Sequence, residues 1–274
     1  MGNVNMKLIL KRSIAILYFV FTVSSWVFAK EEIGAVNKPA QPLPPCAVVE
    51  LFTSEGCSSC PPADEFLSEL VQKTDSVSRI YALSFHVDYW DKLGWVDPFS
   101  SPYFTDRQRV YASVKKSKNI YTPQMFVNGR EGFIGSNRQK AVKNIKAVLE
   151  KPSQVAINLT ARVAPGKGII QVDYKTFYGK KEYLLFIALV QHGVVSKVTA
   201  GENAGKTLHH ENVVVGFKTI RLADGDSGTV EFHFPLEIDL KNFSVIAYAQ
   251  DPKTMFVLGA DRVKFQPASK AGPG

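Results

Sequence analysis

Cys57 and Cys60 are separated by two serines, and Pro61 and Pro62 follow at once. Two thiols at this spacing can close a small ring. A disulfide exchanger needs both, one thiolate to attack and a second thiol to resolve the mixed disulfide. Proline is accepted in the first turn of a helix and disfavoured deeper. A helix must therefore begin at or just before Pro61, with the thiols at its mouth, where free N–H groups and the helix dipole favour a thiolate. A residue before proline avoids the helical region, which puts Cys60 in the entering turn. Cys57 then reads as the exposed, attacking thiol and Cys60 as the buried, resolving one. The local charges oppose a thiolate: Glu50, Glu55, Asp64 and Glu65 are acidic, and no Lys or Arg lies near them in sequence.

The elements that position this pair follow from periodicity. Residues 47–53 (AVVELFT) and 79–87 (RIYALSFHV) are short, mostly apolar runs of the buried-strand kind. Residues 61–73 carry a helical stripe of Phe66, Leu67, Leu70 and Val71. Residues 101–116 read as a second helix. Residues 123–128 and 132–135 flank Asn128-Gly129, a hairpin signal. Residues 137–151 form a third helix with Ala141, Val142, Ile145, Val148 and Leu149 on one face, ended by Pro152. The order predicts a parallel strand pair joined by a right-handed crossover, with a hairpin added. That is the thioredoxin arrangement. Beyond residue 155 seven alternating runs are divided by turn signals, which predicts an antiparallel β-sandwich-like domain. The expected fold is thus an α/β thioredoxin-like domain, 47–151, followed by a β-rich domain, 152–267, and a tail, 268–274.

Three further groups bear on the chemistry. In a thioredoxin-like fold the residue before a cis-proline faces the cysteines and pairs with an extended substrate. Thr122-Pro123 stands where such a proline belongs. Cis X–Pro bonds are uncommon, about 5–6% of cases, and the alternative is a trans proline opening an edge strand; the element order favours cis. His86 and Asp88 end the second strand at the sheet edge that holds the cysteines. His86 fits a proton shuttle, a third ligand beside Cys57 and Cys60 for copper or zinc, or a side chain holding the next loop. Trp90 and Trp95, in an aromatic loop, suit either a lid or a small hydrophobic cluster under that loop. Residues 201–206 (GENAGK) lack phosphate-loop spacing, and with His209-His210 they read as a structural connection. No cofactor is expected. Asn158-Leu159-Thr160 fits a glycosylation sequon but is uninformative at this length.

The stretches ELFTSEGCSSCPPAD, FHVDYWDKLGWVDPFSSPYFTDRQRVYA, YTPQMFVNG and GENAGKTLHHENVVVGF resemble a secreted bacterial family known as domain of unknown function 1223, in the thioredoxin-like superfamily. Together they cover most of residues 48–217. The resemblance implies a thioredoxin-like fold with a C-terminal β-rich part, and it implies no substrate. Cys46 belongs to none of these motifs and can cross-link, stay free or react transiently.

Residues 1–29 read as a secretory signal peptide: Lys7, Lys11 and Arg12, an apolar run over 14–28, then Ala29 at the cleavage site. The 15-residue run is short against the ~20 residues of a membrane span. A Pro-rich linker follows over 30–46. The mature chain is expected in the periplasm or outside the cell, where disulfides persist, with the membrane involved only in export. The net charge is +8, or +5 without the leader, from scattered basic residues; a nucleic-acid partner would need a basic patch with base-reading groups. The expected function is thiol–disulfide exchange with protein or peptide thiols and disulfides, catalysed by Cys57 and Cys60 with Thr122 and Pro123 aligning substrate. The alternatives are a secreted binding or structural module with an inert disulfide, and a copper- or zinc-binding protein.

Overall fold

The computed structural model describes residues 41–74, 79–164, 168–178, 182–222, 226–234 and 239–265. The expected leader, the first part of the linker and the tail lie outside them. Strand β1 (Ala47–Thr53) leads to helix α1 (Pro61–Thr74), then β2 (Ile80–His86), α2 (Pro102–Val114), β3 (Gln124–Val127), β4 (Phe133–Ile134) and α3 (Arg138–Leu149). Nine strands follow: β5 (Ala156–Ala164), β6 (Ile169–Phe177), β7 (Tyr183–Gln191), β8 (Val194–Lys197), β9 (Thr207–His210), β10 (Val213–Leu222), β11 (Ser227–His233), β12 (Phe243–Gln250) and β13 (Val257–Lys264). Among the described residues no helix is long and apolar enough to cross a membrane.

The molecule is mixed α/β around one large sheet of order β13-β12-β7-β10-β2-β1-β3-β4. β1 and β2 are parallel, and β3 runs antiparallel to β1. β10 joins β2 in parallel at Val213 opposite Ser84, with Ser84 N–H donating to Asn212. The sheet therefore continues from the first half of the chain into the second, past the expected boundary at Lys151. β5, β6 and β11 make a separate three-stranded antiparallel sheet, and β8 pairs with β9.

Strand alternation explains how β1 is buried on both sides. Ala47, Val49 and Leu51 face one core with Phe66 and Leu67 of α1 and Ala141, Ile145 and Val148 of α3. Val48 and Phe52 face the other, with Phe85, Tyr111 and Phe126 and, from the later part of the chain, Phe186, Ile246, Tyr248 and Met255. Glu50 falls on that second, aromatic face. It is buried, and a charge there needs a partner. Arg107 of α2 supplies it, with Nε 2.7 Å from Glu50 Oε1. A third core lies between the three-stranded sheet and the far end of the large one, around Ile170, Val172, Leu185, Ile187, Val245 and Leu258.

Local chemistry sets the element ends. Ser101 caps α2 by accepting from Tyr103 N–H, and Pro102 takes its first position. Asn137 caps α3 by accepting from Lys140 N–H. Asn128 and Gly129 both adopt positive φ, as the Asn-Gly signal predicts. At Gly129 a Cβ would lie 1.6 Å from the Met255 carbonyl oxygen, so only glycine fits.

Candidate active site

Past Thr53 the chain turns through Gly56, whose Cα faces the Trp90 side chain: an added Cβ would come within 3.2 Å of Trp90 Cβ. Cys57 and Cys60 are joined by a disulfide, with Cα atoms 5.5 Å apart. The Cys60 carbonyl accepts from Ala63 N–H (2.8 Å) and Asp64 N–H (3.2 Å), so the pair sits at the mouth of α1, where the prolines put it.

The burial differs from expectation. Ser58 and Ser59 are exposed, but both cysteines have 0% exposure, so Cys57 is not the exposed thiol. The cause is the glycine-punctuated loop, residues 201–206, which the sequence suggested was only a connector. Asn203 Nδ2 donates to the carbonyls of Glu55 (2.8 Å) and Cys57 (3.0 Å). Lys206 Nζ donates to Asn203 Oδ1 (2.9 Å), fixing that amide. The Glu202 carboxylate accepts from Ser58 N–H (3.0 Å). Gly201 and Gly205, both at positive φ, shape the loop.

Thr122-Pro123 is a cis peptide. Gln124 lies opposite Phe52 in the β1–β3 register, which carries Pro123 to the end of β1. Pro123 and Ala63 both flank Gly135, at 3.2 and 3.1 Å from where its Cβ would stand. Trp90 ties the two sides together: its backbone lies against Gly56, and its Nε1–H donates to Thr122 Oγ1 (2.8 Å). Trp95 Nε1–H donates to Glu55 Oε2 (2.9 Å). Both tryptophans hold the loop to the cysteine turn.

Beneath the disulfide lies a buried polar cluster. Asp97 Oδ2 contacts His86 Nδ1 (2.7 Å) and accepts from Glu55 N–H (2.8 Å). The His86 and His210 rings meet edge to face, centroids 4.9 Å apart. His210 lies 3.5 Å from Glu55 Oε1 and 3.9 Å from Asp64 Oδ2. Thr53 Oγ1 donates to Asp64 Oδ2 (3.1 Å). Asp64 lies in the first turn of α1, its N–H donating to the Cys60 carbonyl (3.2 Å).

Desolvation and pairing divide the protons in this cluster. Burial pushes the Asp64 carboxyl up, and the charges of His210 and His86 only partly oppose it. Burial raises Glu55 as well, but its contacts with His210 and Ser196 prevail and hold it below the usual carboxylate range. Burial lowers His86, yet the charge and hydrogen bond of Asp97 win and raise it. The same partnership overcomes burial at Asp97 and holds that carboxyl low. The site thus carries an ionised His86–Asp97 pair beside Asp64, a carboxyl biased toward its neutral form.

The fold therefore gathers Cys57, Cys60, Thr122, Pro123, His86, Trp90 and Trp95. Asp88 lies elsewhere: its carboxylate accepts from Thr105 Oγ1, tying the loop to α2. Among the described residues no group of three or more His, Cys, Asp or Glu is disposed to hold a metal ion. Sequence reasoning missed Glu202, Asn203 and His210 as site residues. The GENAGK and His-His signals were present, but nothing local ties them to Cys57, more than 140 residues away.

No curated protein matches the chain. Among solved structures it is similar to protein AGR_C_4864 from Agrobacterium tumefaciens, with 25% identity over 85% of this chain and 99% of that one and a TM-score of 0.63. It also shares a fold with HBP35 of Porphyromonas gingivalis, with 16% identity over 85% of this chain and 79% of that one and a TM-score of 0.58. Residues 48–250 match the family described as protein of unknown function (DUF1223). With the match spanning the disulfide, the clamping loop and most of the large sheet, the chain belongs to the DUF1223 family.

Proposed function

We propose that this chain is an exported, thioredoxin-like thiol–disulfide oxidoreductase. The observation that carries the reading is the Cys57–Cys60 disulfide at the mouth of α1, with Thr122-Pro123 at the neighbouring strand end. The parallel β1–α1–β2 unit flanked by β3, β4 and α3 supports a thioredoxin-like assignment for 47–151. The core shared by the three-stranded sheet and β7, β12 and β13 supports a sandwich-like one for the later strands. Export rests on the sequence of residues 1–29.

In the exchange, a substrate thiolate attacks the Cys57 sulfur. A mixed disulfide forms, the Cys57–Cys60 bond breaks, and Cys60 leaves as a thiolate. A second substrate thiolate then attacks the substrate sulfur of the mixed disulfide, and Cys57 leaves. Two electrons pass to the cysteine pair, and the substrate becomes a disulfide; the reverse sequence reduces a substrate. Asp64, in the first turn of α1 and biased by burial toward its protonated form, is the buried acid nearest Cys60 in sequence and is assigned the proton for the leaving thiolate. Thr122 offers its backbone to an extended substrate.

The test is disulfide exchange with a peptide substrate. Cys57→Ser abolishes turnover on this reading, and unchanged turnover rules it out. One observation favours a second reading, a binding or structural module with an inert bridge: both cysteines are fully buried under the Asn203 clamp. The potential of the couple separates the two. A value between about −120 and −270 mV is that of a working exchanger, and one below about −300 mV is that of a structural bridge.

A further inference from the structure

A cavity lies at the start of β1, the end away from the disulfide. Cys46, which precedes the strand, stands in its wall. The seven residues of β1 put it about 20 Å from the disulfide, at ~3.3 Å per residue. Its volume is about 800 Å³, within the ~300–1,000 Å³ of small-molecule sites.

The lining combines cations with apolar side chains. Lys115, Arg130, Lys140 and Lys151 contribute cations, and Glu131 is the one acid among the lining residues. Some surface arginines have carboxylate partners, as Arg138 does with Glu69 and Arg109 with Asp106. Lys115 is engaged, donating to the Thr254 carbonyl (2.7 Å) and lying over the Phe256 ring. Arg130, Lys140 and Lys151 make no ion pair with any described residue. In the same lining Phe256 is 49% exposed, and Leu258 is buried.

The walls are pinned in place. Asn128 Nδ2 donates to the Cys46 carbonyl (2.9 Å), and its Oδ1 accepts from Val48 N–H (2.6 Å). Val257 N–H donates to the Asn128 carbonyl, and Gly129 packs on the Met255 carbonyl. The turn that carries Arg130 is thereby fixed to the segment that carries Phe256. A site built this way needs little ordering when it fills. Burial pushes the Cys46 thiol up, and Ser153 Oγ lies 3.4 Å from it, so at neutral pH it stays a thiol and serves as part of the wall.

We propose that this cavity binds a small organic anion with an apolar body. Arg130, Lys140 and Lys151 take a carboxylate, sulfonate or phosphate head. Phe256 and Leu258 take the hydrocarbon. The proposal is independent of any redox activity at Cys57 and Cys60.

Titration of the purified chain with 8-anilinonaphthalene-1-sulfonate, an aromatic sulfonate whose fluorescence rises on binding, tests this. Saturation at one site is expected, with amide shifts confined to the neighbourhood of Arg130, Lys140 and Val257. Decanoate should displace the probe at a concentration at least about tenfold below that of inorganic phosphate. Arg130→Glu with Lys140→Glu should weaken binding by about tenfold or more, and Phe256→Ser by several-fold, with unchanged circular dichroism. These side chains are on the surface, so the variants fold. Affinity within about twofold of wild type in Arg130→Glu/Lys140→Glu overturns the proposal. So does the absence of saturable binding up to about 1 mM, or displacement by phosphate as effective as by decanoate.

Discussion

Replacing Arg107 by methionine tests the logic of the core behind β1. Glu50 is 1% exposed, and its carboxylate accepts from Arg107 Nε (2.7 Å), Tyr248 OH (2.8 Å) and Tyr111 OH. Arg107 also donates to Gln250 Oε1 (3.2 Å), and its guanidinium lies 4.3 Å from the centre of the Phe186 ring. Methionine keeps most of the length and apolar stem but removes the charge. Glu50 then stays buried with two hydroxyl donors and no counter-charge. Breaking one side of such a pair costs ~3–5 kcal/mol, a large share of the ~5–15 kcal/mol that holds a domain folded. At ~2–4 °C per kcal/mol for a chain of this size, Tm should fall by about 10 °C. Glu50→Gln together with Arg107→Met removes both charges and should recover most of the loss. Urea denaturation followed by circular dichroism and by tryptophan fluorescence gives the three values. A loss below about 1 kcal/mol in Arg107→Met, or a double variant as unstable as the single one, refutes the reasoning. The stakes extend past one pair, because it joins β1, α2 and β12.

Three other outcomes follow from the same geometry. A chain ending after Lys151 should show no cooperative unfolding transition, because Phe186, Tyr248 and Met255 complete the core around Phe52 and Phe85; a sharp thermal transition in that fragment would contradict this. Asn203→Ala removes two buried hydrogen bonds and should cost about 1–3 kcal/mol and speed reduction of the disulfide by a phosphine; an unchanged reduction rate would show that the loop does not guard it. For pH, His86 is raised above its ordinary 6.5, so its contribution is full below that value and is lost as pH rises through the folded pKa. Asp97 is held below its ordinary 3.8, so its contribution is full above that value and is lost as pH falls through the folded one. Asp64, raised above its ordinary 3.8 by burial, acts in the opposite sense to Asp97: its contribution is full below 3.8 and is lost as pH rises through its folded pKa. The contribution of the His86–Asp97 pair should therefore be greatest between their two transitions, and His86→Gln should flatten the alkaline decline. An identical pH profile in that variant would count against an ionised pair.

Much of the scaffold was legible because its signals are local. The mostly apolar run AVVELFT has apolar residues on both faces, and β1 is buried throughout. Pro61 and Pro62 tolerate only a first-turn position, and α1 begins there. Asn128-Gly129 supplies positive φ at two successive residues, and the chain turns there. Alternating runs expected beyond residue 155 include β6 and β7. β8 and β9 were not foreseen: each has four residues, too short for a period to show, and they pair with one another outside the large sheet.

The site was half legible for the same reason. The sequence by itself determined the cysteine spacing, the helix mouth and the proline across from it, since each depends on a few adjacent residues. It also showed acids around the thiols, but not which faces they take. Strand alternation turns Glu50 toward Arg107 and the aromatic core, while Glu55 and Asp64 turn toward His210. Only the tertiary structure decided that β7, β10, β12 and β13 extend the first sheet, that Asn203 caps the Cys57 carbonyl and that His210 sits between two carboxylates. Those choices depend on which sheet edges meet and which buried charges must be neutralised, and both are settled between segments more than 100 residues apart in the chain.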